Sequence, residues 1–257
     1  MSSLAHSPAT VSGTHDRTRQ AVVAATAVVA VVGSTIGSGA FGGTPIAEAA
    51  GGALSASATL VAPAGPAFAI WSVIYTGLIA LAVWQLLPAH REDARQRRTG
   101  WWTAASLLLN AAWIGTVQAG WVTASVAVIA ALLLVLVVVV GRLGASRPTG
   151  RVEALVVDGS LGLYLGWVSI ATVANTAAAL SAAGAAGNGS WLGLTEPVWA
   201  VLVLAVAAGI GVAVAALTRG RLAFGAGLAW GLAWVAVASS SGPDTSAAAA
   251  VVAEVAG

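Results

Sequence analysis

The chain of 257 residues alternates between long apolar segments and more polar connections. An α-helix rises about 1.5 Å per residue, so about 20 apolar residues cross the hydrocarbon core of a bilayer. Seven segments have about this length, and they lie at residues 20–41, 66–87, 100–119, 121–141, 153–180, 197–218 and 222–239. The pattern predicts an all-α polytopic membrane protein, a bundle of seven transmembrane helices. Residues 1–19 are polar and predict a disordered tail.

Basic residues occur only in alternate connections of this pattern. All eleven are arginines, before the first segment or after the second, fourth and sixth: Arg17, Arg19, Arg91, Arg95, Arg97, Arg98, Arg142, Arg147, Arg151, Arg219 and Arg221. The positive-inside rule places these connections in the cytoplasm. We therefore expect a multi-pass plasma-membrane protein with a cytoplasmic N-terminus and an external C-terminus. The alternative is that residues 1–50 form a secretory signal, cleaved near Ala47-Glu48-Ala49.

Composition excludes several kinds of chemistry. Only 8% of the residues are charged, against about a quarter in soluble domains, so we expect the lipid bilayer as partner and no nucleic acid. The chain has no cysteine and no lysine, which excludes thiolate sites and a retinal Schiff base. Its histidines, His6, His15 and His90, lie outside the apolar segments. We predict no metal site, no catalytic residue and no required cofactor. The lysine-free, alanine- and arginine-rich composition is typical of a bacterial protein.

Asp158 is the acidic residue that lies inside an apolar segment, about five residues from its cytoplasmic boundary. That spacing corresponds to a depth of about 7 Å. An acid within a membrane span is a candidate proton site, which would suit a secondary transporter of a small polar or ionic solute. The alternative is a shallow carboxylate that reaches the interface near Arg151.

Three tryptophans, Trp71, Trp113 and Trp167, lie away from the segment ends where an interfacial belt would place them. They belong to three different segments and fall in the outer half of the membrane. We expect their indoles to line one cavity that opens on the external side. Flat indole faces suit a large planar apolar ligand, and each stack contributes about 0.5–1.5 kcal/mol beyond area burial. The alternative is that the indoles pack against one another as core.

Two polar side chains belong to the same segments as these indoles. Tyr75 follows Trp71 by one helical turn and lies on the same face. Asn110 lies near the bilayer midplane, where an unpaired amide is costly. Asn110 therefore either bonds to a neighbouring helix or contacts a ligand.

A G-x-x-x-G spacing occurs in three of the segments, at Gly33 and Gly37, Gly162 and Gly166, and Gly227 and Gly231. Small residues at this spacing allow two helices to approach closely. The pattern favours tight packing within the chain, with a homodimer as the alternative.

Three sequence motifs resemble those of the TspO/MBR family, the tryptophan-rich sensory or translocator proteins. They are F-A-I-W-S-V-I-Y at 68–75, L-N-A-A-W at 109–113 and Y-L-G-W-V-S-I-A-T-V-A-N at 164–175. The resemblance implies a five-helix core over residues 20–180, with a ligand pocket under the loop between helices one and two. Residues 181–239 are then two additional helices, and 240–257 an external tail. Ala69, Pro66 and Leu163 depart from the family pattern.

The resemblance also implies a set of pocket residues and a function. Carried over from the three motifs, the pocket candidates are Trp71, Tyr75, Asn110, Trp113, Trp167, Ala171 and Asn175. The family binds porphyrins, haem and, in mitochondrial members, sterols. We therefore expect a binding protein, a sensor or transporter and not an enzyme, for a planar hydrophobic ligand such as a tetrapyrrole. Degradation of a bound porphyrin is the enzymatic alternative.

Overall fold

The computed structural model of the protein describes residues 8–37, 39, 44–183, 201, 205, 209, 211–212 and 222–241. Within this part of the chain there are six long helices and no strands: α1 (Pro8–Gly37), α2 (Ile70–Leu86), α3 (Ala94–Gln118), α4 (Val122–Gly144), α5 (Arg151–Ala182) and α6 (Leu222–Ser241). Short helical turns lie at Ala49–Gly52, Gly65–Ala69 and Pro88–His90. Within α5, residues Ala154–Gly159 are wound as a π-helix.

The helices confirm the prediction of an all-helical membrane bundle. In the described part of the chain α1, α2, α4, α5 and α6 are long and apolar enough to cross a membrane. Helix α3 contains more polar residues, but its 25 residues correspond to a length of about 37 Å. The predicted segment at 197–218 lies outside the described residues apart from isolated positions. The predicted tail lies outside them beyond Ser241.

Five of the helices form a closed ring, and α6 packs on its outside. Helix α1 packs along α3, α3 along α4, and α4 along α5. Helix α2 closes the ring between α1 and α5, and it packs less closely against both than the other neighbours do against each other. The loose fit of α2 leaves space beside it, and both cavities described below lie there.

Helix α1 begins at Pro8, whereas the sequence predicts a disordered tail over residues 1–19. The reason is that polar side chains in this region contact the start of α3 and the connection that precedes it. Asp16 forms an ion pair with Arg97, and this pair raises the pKa of the Arg97 guanidinium. Arg19 is 2% exposed and donates to the carbonyl oxygen of Arg91 at 2.6 Å. Polarity here reflects contacts between helices and does not indicate a solvated chain.

Glycines bring α5 and α6 into backbone contact. An added Cβ at Gly227 of α6 would lie 3.1 Å from the backbone nitrogen of Trp167, and at Gly231 it would meet the side chain of Ile170 at 2.8 Å. Gly162 and Gly166 face the α6 backbone in the same way. These two G-x-x-x-G patterns therefore serve packing within the chain, the use that the sequence favours.

We expect Gly227→Ala to lower the apparent Tm of the detergent-purified protein by several degrees. The added methyl group would meet the backbone of α5 and push α6 away from the turn that carries Trp167. Overpacking of this kind costs about 1–3 kcal/mol. Gly225→Ala is the matched control, since a Cβ there meets no atom of the described residues within 4 Å. Equal Tm values for the two variants in a thermal scan would contradict the described α5–α6 contact.

Candidate functional site

An aromatic cluster lies at the end of the bundle opposite the described arginines. The Trp71 ring stacks on Tyr75 with centroids 5.3 Å apart, and it meets Trp167 edge-on at 6.2 Å. Tyr164 lies 6.0 Å from Trp71, and Phe68 lies 5.8 Å from Trp167. Stacked and edge-to-face arrangements at these distances are favourable. The indole of Trp71 is therefore held between its own helix and α5.

A buried hydrogen-bond chain connects α3, α5 and α4 beside this cluster. The indole N–H of Trp113 donates to Oδ1 of Asn175 at 2.8 Å, and Nδ2 of Asn175 donates to Ser125 Oγ at 2.9 Å. Asn175 and Ser125 are 1% and 0% exposed. In the interior of a bundle in lipid, a buried polar group without a hydrogen-bond partner is costly. The bond to Asn175 therefore fixes the rotamer of Trp113, because it gives the indole N–H an acceptor.

Asn110 makes the interhelical hydrogen bond that the sequence allowed as one alternative. Its Nδ2 donates to the hydroxyl oxygen of Tyr75 at 2.7 Å, which joins α3 to α2. Asn110 is fully buried, and among the described residues its Oδ1 has no hydrogen-bond donor. Asn110 thus orients Tyr75, while its own side chain lines neither of the cavities described next.

The first of these, the inner cavity, has a volume of about 40 Å³ and lies between α2, α3 and α5. Its walls include five of the predicted pocket residues: Trp71, Trp113, Trp167, Ala171 and Asn175. Residues from the loop between α1 and α2, among them Leu54, Ala62 and Phe68, cover it. A space of this size holds one or a few water molecules and is too small for a drug-sized ligand.

The second, the outer cavity, has a volume of about 460 Å³ and lies between α1, α2 and α3. This volume falls within the range of about 300–1,000 Å³ that is usual for small-molecule sites. Trp71, Tyr75 and Trp113 line it, together with Ser34 and Thr35 at the end of α1. Most of its wall is apolar, and hydroxyl groups supply the polar part.

A common wall separates the two cavities. It consists of Ile46, Phe68, Trp71 and Trp113, which line both. The sequence prediction that three indoles from separate helices meet around one space describes the inner cavity. The larger space, the outer cavity, lies on the other side of Trp71. There Tyr75 is the predicted pocket residue that lines the wall in addition to Trp71 and Trp113.

Neither cavity is lined by a charged side chain among the described residues. In the same part of the chain no group of three histidine, cysteine, aspartate or glutamate residues lies close enough together to hold a metal ion. The chemistry that these walls offer is therefore apolar contact, aromatic stacking and a few neutral hydrogen bonds.

Asp158 lies at the opposite end of the bundle, far along α5 from the cavities. Its two carboxylate oxygens accept hydrogen bonds from Arg95 at 2.8 and 2.9 Å, and the same guanidinium pairs with Glu153. Burial works against the charge of Arg95, but the bonds to Asp158 and Glu153 raise the pKa of its guanidinium above the ordinary value. The sequence did not indicate this partner, which comes from the start of α3.

The sequence did not indicate several residues of the site. Ser125 lies in an apolar run of α4 without any motif, so only the fold shows that it bonds to Asn175. Ser34 and Thr35 line the outer cavity from the last turns of α1, and Ile46 lines it from the loop that follows. Phe68 could have been predicted, because it is the first residue of the motif at 68–75 and is aromatic like the two tryptophans of the common wall.

One of three comparisons with known proteins gave a match. A protein-family model described as TSPO-like protein matches residues 21–256, almost the whole chain. The matched range includes α6 as well as the five-helix ring. No curated protein and no solved structure matches the chain.

We expect Asn175→Ala to lower the stability of the protein by about 1–3 kcal/mol, because the N–H of Trp113 loses its buried acceptor and Ser125 Oγ loses the amide that donates to it. Thr176→Ala is the matched control, since the bond that Thr176 makes among the described residues is to its own helix at Thr172. Denaturant titration in detergent, followed by tryptophan fluorescence, measures both. Similar midpoints for the two variants would argue against the Trp113–Asn175–Ser125 chain.

We expect Arg95→Leu to destabilise the protein by about 3–5 kcal/mol, because it leaves Glu153 and Asp158 without their shared buried cation. Arg98→Leu should change the stability little, since the exposed Arg98 guanidinium bonds to its own helix at Ala94. The same titration compares them. A loss in Arg98→Leu as large as that in Arg95→Leu would show that the ion pairs do not hold α3 to α5.

Proposed function

This chain belongs to the TSPO-like protein family, and we propose that it binds a planar hydrophobic ligand of the porphyrin type at the aromatic wall between α2, α3 and α5. The family and the membrane-spanning helices make it a membrane binding protein. The observation that supports the finer proposal is the wall itself. Indoles from three helices surround it, and a cavity of about 460 Å³ adjoins it.

The ligand's flat body lies in the outer cavity against Trp71 and Tyr75. These two rings stack on each other with an interplanar angle of 25°, and both lie in the wall of the outer cavity. Each aromatic stack contributes about 0.5–1.5 kcal/mol beyond the burial of apolar area. Rotation of the Phe68 or Trp71 side chain would join the inner cavity to this site and bring Trp167 and Ala171 into contact with the ligand.

The character of the ligand follows from the absence of charge on the described lining residues. An ionised group buried there would lose its hydration without gaining a partner. The hydrophobic face of the ligand therefore enters the cavity, and any carboxylate, such as a porphyrin propionate, stays at the open mouth. The hydroxyls of Ser34, Thr35 and Ser72 lie in the lining and are its neutral polar groups.

The arginines orient the site in the membrane. The described arginines lie at the end of the bundle opposite the cavities, and the positive-inside rule assigns that end to the cytoplasm of a bacterial cell. The site then faces the external side of the plasma membrane. At the cytoplasmic end, Gln20 and Gln85 bond to each other's backbone carbonyls, and Arg95 joins α3 to α5. A closed cytoplasmic end favours binding and sensing over a continuous transport path.

Binding is also favoured over catalysis. The described walls contain no carboxylate or imidazole that could act as a general acid or base. Asp158 cannot serve the site, because it lies at the other end of α5 in contact with Arg95.

We expect protoporphyrin to bind the purified protein saturably, with an affinity about tenfold lower in Trp71→Leu. The leucine removes one face of the stacking site and part of the wall, and tenfold corresponds to about 1.4 kcal/mol. Titrations followed by tryptophan fluorescence and by the absorption of the porphyrin measure the affinity.

Trp121→Leu is the matched control for this titration. Trp121 is a 64% exposed tryptophan at the same end of the bundle and lines neither cavity. Its replacement should leave the affinity unchanged. Unsaturable binding to the wild type, or an equal loss in both variants, would refute the proposed function.

A further inference from the structure

The loop between α1 and α2 forms the roof of the inner cavity. We call residues 53–68 the cover segment. Eight of its residues line the cavity: Ala53, Leu54, Ser55, Ala58, Thr59, Ala62, Pro63 and Phe68. The last of these belongs to the wall between the two cavities. Any movement of the cover segment therefore opens the inner cavity and changes its separation from the outer one.

Helix α6 makes three hydrogen bonds to this cover segment. The indole N–H of Trp230 donates to the carbonyl oxygen of Ala67 at 2.9 Å. The carbonyl oxygen of Trp234 accepts from the backbone N–H of Ala64 at 3.2 Å, and Ser239 Oγ donates to Leu60 at 3.2 Å. The partners run in opposite directions along the two segments, so the bonds hold the cover segment along most of its C-terminal half.

Apolar contacts support the same attachment. Val61 is 2% exposed and packs in a small core with Ile170 of α5 and with Leu232 and Val235 of α6. Helix α6 in turn contacts the backbone of α5 at Trp167 through Gly227. The cover segment and one of the indoles that it covers are thus fixed to the same outer helix.

We propose that α6 is a clamp that holds the cover segment closed over the inner cavity, with Trp230 and Ser239 as its positioning residues. The inference rests on the proposed function insofar as it concerns a ligand. Exchange of a ligand with the inner cavity through this roof then requires the cover segment to leave α6. The inner cavity is small in this structure because the clamp is engaged.

The absence of cysteine allows a direct test in the full-length protein. Ala62→Cys places a thiol on a buried residue that lines the inner cavity. Its rate of reaction with a water-soluble methanethiosulfonate reagent measures how often the cover segment opens. The rate is compared between the wild-type background and the double variant Trp230→Phe/Ser239→Ala, which removes two of the three bonds and keeps a ring at residue 230.

Matched controls separate release of the clamp from general loosening. Trp234→Phe/Ser240→Ala alters the neighbouring side chains, but the carbonyl of Trp234 still accepts from Ala64, and the bond that Ser240 makes among the described residues lies within α6. A thiol at Ala104, which is buried in the core of the ring, reports global unfolding. A thiol at the exposed Ser57 reports reagent quality, since it should react quickly in every background.

We expect the Ala62→Cys thiol to react about three- to tenfold faster in Trp230→Phe/Ser239→Ala, since each hydrogen bond contributes modestly. Its rate should stay unchanged in Trp234→Phe/Ser240→Ala, and the Ala104→Cys thiol should stay unreactive throughout. Protoporphyrin should dissociate faster by a similar factor in the first variant. An unchanged Ala62→Cys rate would overturn the clamp. Failure of protoporphyrin to bind even the wild type would instead overturn the proposed function, and the labelling rates would still decide on the clamp.

Discussion

The hydrogen bond from Trp113 to Asn175 is the contact on which the site depends. A bundle in lipid offers little water to buried polar groups, so an indole N–H that meets an acceptor fixes its ring in a cavity wall. Asn175 provides that acceptor from α5 and is itself held by Ser125 of α4. These bonds tie the indole of Trp113 on α3 to α5 and α4 and so hold it in place. Trp71, which lines the same cavities, packs between Tyr75 and Trp167.

The position of the cavities follows from how α2 closes the ring. Its neighbours leave space on both sides, and the aromatic side chains of its first turns divide that space into a small inner and a larger outer part. At the other end, Arg95 and the paired Gln20 and Gln85 draw the helices together. The described helices are thus drawn together at the arginine end of the bundle, whereas both cavities lie at its aromatic end.

Sequence alone predicted the helical membrane fold, the shared end of the arginine-bearing connections and the family. These depend on local composition and on short motifs, which need no knowledge of tertiary contacts. It missed the Arg95 partner of Asp158, because residues 63 positions apart in sequence meet only through the packing of α3 on α5. The helical start of α1 was missed for the same reason. The contacts of Ser125 and Trp230 were also missed, because no sequence pattern indicates which residues these side chains contact.

A planar ligand that lies in the outer cavity against Trp71 and Tyr75 must shield the wall of that cavity from reagents in water. The most direct measurement is ligand protection of a thiol placed at Ser72, an exposed residue that lines the outer cavity, in this cysteine-free chain. We expect protoporphyrin to slow labelling of Ser72→Cys saturably and to leave labelling of Thr123→Cys, an exposed position on α4, unaffected. Unprotected Ser72→Cys at saturating protoporphyrin, or equal protection at both positions, would contradict binding at this wall.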